Sequence, residues 1–172
     1  MAATPAIYRA ATVGSLATAS TTTSFFVIPG SATRTVLVRR IIVSGLTTAT
    51  LAINTLLCRK LSTAPTGGTA TDLVKVPLDS ASVASTLGGA GLGPRFYTAA
   101  PTDGTVVGSL GVDMFMAKST TVVDGAEPEY REFHFVTPAE VYLRGIAEHV
   151  AVSLGTAVIM NVGIQVEWQE IQ

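Results

Sequence analysis

Two histidines, one cysteine and a short cluster of carboxylates are the side chains of this chain best suited to chemistry. His134 lies between Phe133 and Phe135, and His149 follows Glu148. As a metal pair they lack a third ligand at a recognisable spacing. Solvent-facing or interface histidines are therefore expected. Cys58 sits among apolar neighbours in Leu56-Leu57-Cys58, which points to a small buried hydrophobe rather than a nucleophile. The acidic group Asp124, Glu127, Glu129 and Glu132 does not match a calcium loop, and Pro128 interrupts it. A solvated loop leading into a strand is expected there.

Other catalytic patterns fare no better. The run Gly-Gly-Ala-Gly-Leu-Gly at 88–93 superficially resembles a phosphate-binding loop, but Pro94 stands where a helix should begin. No Gly-x-Ser-x-Gly is present. Only 6% of residues are aromatic, and Trp168 is the sole tryptophan, which argues against a carbohydrate cleft. The expectation is a non-enzymatic protein without cofactor or metal.

Composition narrows the class further. The chain is 48% hydrophobic but only 13% charged, against about 25% charged in an ordinary soluble domain. It has ample core material and a surface made of Thr and Ser, which suits a protein that hides part of its surface in an oligomer. The net charge is −1, and the nearest approach to a basic group, Arg34, Arg39, Arg40, Arg59 and Lys60, falls within apparent strands. A nucleic-acid packaging role needs many more cations. The N-terminus has no cationic stretch followed by an apolar one. The apolar segment Val150 to Val166 is broken by Gly155, Asn161, Gly163 and Gln165, so it reads as two strands rather than a membrane span.

The elements that must carry these residues are strands. Val158, Met160, Val162, Ile164, Val166 and Trp168 occupy every second position, the period of a half-buried strand. The same period links Val106, Leu110, Val112, Met114 and Met116; Phe133 and Phe135; Val141 and Leu143; Val150, Val152 and Leu154; and Leu51, Ile53, Leu57 and Leu61, broken by Thr55 and Arg59. Val36 to Val43 is apolar on both faces except at Arg39 and Arg40, as in a strand covered on both sides. Ile7 to Val13 and Phe25 to Ile28 are weaker strand candidates. Asp79 to Leu87 is the one place for a turn of helix, capped by Asp79 or Ser80. Turns are expected at Pro29-Gly30, Ser44-Gly45, 65–68, 88–94, 101–104, Asp124-Gly125 and Gly155-Thr156. Eight to ten short strands in one domain predict a sandwich or barrel.

Several segments together carry a resemblance. They are Val38 to Gly45, Leu57-Cys58-Arg59-Lys60, Thr66-Gly67-Gly68-Thr69 and Val76-Pro77-Leu78-Asp79. Phe96 to Thr102, Gly104 to Gly108, Val141 to Gly145 and Val166 to Glu170 complete the set. In this order, over roughly residues 36 to 170, the chain resembles small structural proteins encoded in the virion gene clusters of tailed bacteriophages.

With the all-β class already read from periodicity, the resemblance implies a jelly-roll-like antiparallel β-sandwich over 36–172; residues 1–35 lie outside the likeness and are expected as an N-terminal strand or extended arm, an interaction segment. It implies a head decoration (cement) protein, typically trimeric, made in the host cytoplasm. Such a protein binds the major capsid protein on the outer surface of the particle and stabilises the shell, without nucleic acid or membrane. A neck, tail or fibre-base location suits the same composition. A carbohydrate-binding jelly-roll module would use Tyr97 and Tyr130, and a cupin-type enzyme would need clustered histidines. The residues chosen for contact with neighbours are Arg39 and Arg40, whose charges interrupt an apolar strand, and Arg144 beside Gly145. For each, the competing role is a salt bridge or a snorkelling side chain on the protein's own surface.

Overall fold

The computed structural model of the chain describes residues 5–16, 23–47, 52–88, 93–119, 129–156 and 159–171. The described residues form strands and connections and no helix. In chain order the strands are β1 (Ile7–Leu16), β2 (Ser24–Pro29), β3 (Thr35–Thr47), β4 (Ala52–Leu61), β5 (Thr69–Asp72) and β6 (Val76–Pro77). They continue with β7 (Arg95–Ala99), β8 (Val106–Ser119), β9 (Glu129–His134), β10 (Val141–Leu143), β11 (His149–Leu154) and β12 (Met160–Ile171).

Two antiparallel sheets pack face to face as a jelly-roll-like β-sandwich. The first runs β6-β1-β12-β3, with β9 and β10 sharing the other edge of β3. The second runs β5-β7-β2-β11-β4-β8. At its far end β8 meets the end of β3 in parallel, Leu46 opposite Lys118 and Thr47 opposite Ser119, which joins the sheets.

The period-two pattern of β12 becomes the core of the first sheet. Met160, Val162, Ile164, Val166 and Trp168 are buried, while the intervening residues are at least partly exposed. Each fully buried side chain of this size contributes roughly 1.5–3 kcal/mol, so this strand alone outweighs any set of surface ion pairs. Trp168 stacks on Tyr8 of β1, with ring centroids 5.6 Å apart. Across the sandwich, Phe25 of β2 meets Phe96 of β7 edge-on at 6.4 Å. Gly14 makes room for that pair, since a Cβ on it would stand 2.3 Å from the Phe96 ring.

The N-terminal segment expected as an arm supplies a strand to each sheet. β1 pairs with β12 over Ile7 to Leu16 and with β6 on its other edge. β2 lies between β11 and β7, and all six of its residues are buried. Residues 17–22 lie outside the described residues.

The irregular pattern of β3 has a local cause. Glu167 faces Arg40 and the next residue, Trp168, faces Val38, so Arg39 is an extra residue on β3. This β-bulge switches the parity. Val36 and Val38 before it, and Ile41 and Val43 after it, all reach the core. The turn of helix expected at Asp79 to Leu87 is not formed. Asp79 Oδ1 accepts from the Ala81 N–H at 2.9 Å, and its carbonyl accepts from the Ser82 N–H at 3.0 Å, which makes an isolated turn. Distant side chains hold the rest of this segment instead. Tyr8 Oη donates to the Val83 carbonyl, Lys75 Nζ donates to the Leu87 carbonyl, and Glu170 grips Ser85 and Thr86.

Candidate functional site

The three arginines chosen from the sequence have separate fates. Arg40 bridges inward to its own sheet. Its Nε donates to Glu167 Oε2 at 2.8 Å, and Glu132 stands 3.6 Å from its Nη1. Arg9 Nε joins from β1 at 2.8 Å, which makes a cross-strand ladder Arg9–Glu167–Arg40–Glu132 over β1, β12, β3 and β9. Burial pushes the Glu167 carboxyl up, but the hydrogen bonds from Arg40 and Arg9 outweigh it and hold the carboxyl below its ordinary range. Partly exposed pairs of this kind contribute about 0–1 kcal/mol, so the ladder fixes strand register more than it adds stability. Arg39 is half-buried near Glu140 and Tyr142. Arg144 is exposed and lies over the Tyr142 ring at 5.4 Å.

The chemistry-bearing side chains are dispersed. Cys58 is buried in the core, and burial pushes its thiol far above the usual thiol range. His134 is exposed on β9, where it lines an open cleft with Asp113, Glu132 and Glu140. Of the acidic group, Asp124 and Glu127 lie outside the described residues, while Glu129 pairs with Arg131 and Glu132 with Arg40.

His149 departs from the solvent-facing expectation, because β11 is buried on both faces. The cause is a flap. The connections after β4 and after β7 pair with each other, Ser62 N–H to the Thr105 carbonyl at 2.9 Å and Thr66 with Thr102 in both directions at 2.9 Å. Gly104 permits this approach, since a Cβ there would stand 2.0 Å from the Thr63 carbonyl oxygen. The flap holds Asp103 over the outer face of the second sheet. Val27, Leu61, Tyr97 and Ala151 form a second small apolar cluster on that side.

A charged pair is sealed in with it. Arg59 Nη2 donates to Asp103 Oδ2 at 2.6 Å and to Ser153 Oγ at 2.9 Å, and the Ser24 N–H donates to Asp103 Oδ1 at 2.9 Å. Two buried polar atoms of the group, Arg59 Nε and Ser24 Oγ, have no protein partner. The sequence carries both halves of this pair, Arg59 as a break in the apolar parity of β4 and Asp103 in a Pro-Thr-Asp-Gly turn, but nothing local in it joins them.

Beside the flap is a pocket of about 150 Å³, lined among others by Val27, Pro29, Pro65, Tyr97, Ile146 and His149. His149 Nδ1 is 2.8 Å from the Ala147 carbonyl oxygen. A carbonyl only accepts, so Nδ1 carries the proton and Nε2 is the ring's acceptor. Burial lowers the His149 pKa, opposed by the Ala147 hydrogen bond and assisted by the Arg95 charge. The unfolded chain therefore takes up a proton near pH 6.5 that the folded chain refuses. Stability from this residue is full above that pH and declines as pH falls towards the folded value. Urea unfolding at pH 8 and pH 5.5 checks this. The wild type should lose more stability between the two than His149→Gln does, and equal losses would place the imidazole in contact with water.

A further feature lies on the uncovered part of the same sheet. The alternating residues of β8 point outward: Val112 is 60% and Met114 56% exposed, and Leu57 of β4 sits opposite Val112. The side facing inward carries Gly111, against which Phe133 of β9 packs.

Set beside known proteins, the chain has no significant match among family models, curated proteins or solved structures.

Proposed function

We propose that this protein is a non-enzymatic structural component of a virus particle, a decoration (cement) protein that binds the outer surface of a phage head as an oligomer and stabilises it. The observation that carries the reading is the outward apolar stripe of β8. The chain covers one half of the outer face of its second sheet with its own flap, yet leaves Val112 and Met114 bare on the other half. A regular apolar stripe on a strand surface, in a chain that is only 13% charged, is what a subunit contact looks like before assembly. The all-β sandwich and the order of the strand and turn motifs over residues 36 to 170 are consistent with the phage-protein resemblance. Closed oligomers are the usual way to bury such a stripe, and a trimer suits decoration of a capsid. Arg39 and Arg144 remain the candidate contacts with the major capsid protein, while Arg40 is committed to Glu167.

Light scattering on the purified chain at micromolar concentration is the direct test. The expected result is a mass three times that of the 17.7 kDa chain. The double variant Val112→Glu with Met114→Glu should reduce it to the monomer mass. Co-sedimentation with expanded, decoration-free heads of the phage that encodes it then tests the location. A monomeric wild type that also fails to sediment with heads would sink the proposal.

A further inference from the structure

The pocket beside the flap has three properties that together define a ligand. Its volume of about 150 Å³ is that of a cavity known to accept a single benzene ring. Its walls are mostly apolar, with Val27, Pro29, Pro65 and Ile146 around the space. Its polar character is concentrated in His149, Tyr97 and Arg95, and Arg95 is paired with Asp72 at 2.7 Å. His149 is the informative group. Its Nδ1–H is spent on the Ala147 carbonyl, and no described residue hydrogen-bonds Nε2, which keeps some exposure although the residue as a whole is 6% exposed and lines the pocket.

An unpartnered imidazole acceptor at the wall of an apolar, ring-sized space suits a flat apolar body with one O–H or N–H donor. A carboxylate would bring a second acceptor towards Nε2. An ammonium ion would be desolvated among apolar walls beside the Arg95 charge. A phenolic hydroxyl fits without either penalty, since it donates one hydrogen bond and is otherwise a hydrocarbon ring.

We propose that this pocket is a binding site for a phenol ring, held by its hydroxyl on His149 Nε2 and by the apolar walls around its edge. The ring can be that of a small phenolic compound or of a tyrosine side chain presented by another protein, and the two share the same chemistry. The site lies beside the flap, away from the bare β8 stripe, so it does not depend on the assembly proposed above.

The test is an NMR titration of the full-length chain with p-cresol, the side chain of tyrosine, followed on the His149 ring protons and the Ile146 methyl groups. The expected result is saturable, fast-exchange shifts at these residues in the millimolar range. Toluene, which has the ring without the hydroxyl, should bind at least about tenfold more weakly, the factor that one hydrogen bond of about 1.4 kcal/mol carries. Ile146→Trp, a substitution at a half-exposed position on the rim, should block both without unfolding the chain. N-acetyltyrosinamide separates the sources: binding comparable to p-cresol assigns the site to a chain-borne tyrosine, and exclusion assigns it to a free phenolic compound. Absence of any p-cresol shift at 10 mM overturns the proposal, as does toluene binding equal to that of p-cresol. Because the readout is ring binding rather than mass, its failure leaves the oligomer reading standing, and the reverse holds.

Discussion

Replacing Asp103 with alanine is expected to lower the unfolding free energy by roughly 3–5 kcal/mol, the cost of leaving the partner of a buried ion pair alone. Arg59 is 9% exposed, and the flap that covers it is the same segment that carries Asp103. Removing the carboxylate takes the charged acceptor from Arg59 Nη2, which keeps only the neutral Ser153 hydroxyl, and the acceptor of the Ser24 N–H. Arg59 Nε already lacks a partner, so the cation has little left to share its charge with. Substituting both partners by hydrocarbon is a different experiment. Arg59→Leu with Asp103→Leu removes the charge that demanded pairing, and such replacements are often close to neutral. At least half of the loss should therefore return in the double variant. Urea unfolding of the two single variants and the double variant gives the coupling directly. A loss below about 1 kcal/mol for Asp103→Ala would mean that the pair behaves as a solvated surface pair and that the flap does not shield it.

That pair also shows where sequence reading stops. Strand periodicity was legible for β12, where five alternate residues are all buried. It was equally legible for β9 and β10, whose Phe133, Val141 and Leu143 face inward. Alternation reports that a strand has one apolar face, however, and not which way that face points. On β8 Val112 and Met114 face outward, while Leu110 of the same parity, set off by a register shift opposite Cys58 and Arg59, packs on the core; on β4 the inward residues are Leu56 and Cys58 rather than the parity of Leu57. A parity switch needs only one extra residue, and the bulge at Arg39 hides two regular strand halves as one irregular run. The doublet Arg39-Arg40 drew attention as a possible contact because it broke the pattern. The break is backbone geometry, and Arg40 serves the register of its own sheet.

The flap was invisible for another reason. Its two connections are far apart in the chain, and the sequence marks each only as a local turn, at 65–68 and 101–104. Nothing local says that they pair with each other. Once paired, they bury the second face of β11, move His149 from the surface to a pocket wall and create the demand for the Arg59–Asp103 pair. Long-range pairing thus decided the chemistry of the candidate site, while local pattern decided the strands that carry it.

The C-terminal strand ends in a second buried carboxylate, and its loss should act on a different part of the molecule. Glu170 is 2% exposed, and its side chain accepts from Ser85 Oγ, from the Thr86 N–H at 2.9 Å, from Thr86 Oγ1 at 2.7 Å and from Trp168 Nε1 at 3.3 Å. Burial pushes its carboxyl up, but these donors outweigh burial and hold it below the ordinary value of 4.5. The folded pKa is thus the lower one. The stabilisation is fully present above about pH 4.5 and is lost as pH falls through the folded value, when the folded carboxylate must also take a proton. Glu170→Ala should cost roughly 3 kcal/mol near neutral pH, because the Thr86 N–H and the Trp168 indole N–H are left buried without an acceptor. It should also flatten the acid limb of the stability curve below pH 5, an effect that a mere packing defect would not produce. The segment from Asp79 to Gly88 has no helix to hold it and depends on this carboxylate, on Tyr8 and on Lys75. Gly88 in turn hydrogen-bonds the Gly30 carbonyl and lines the pocket beside the flap. Amide exchange in residues 83–88 should therefore accelerate in the variant at pH 7, while exchange in β4 and β8 stays as in the wild type. Uniform acceleration across both sheets would instead assign Glu170 to global stability and remove its role as the anchor of this loop.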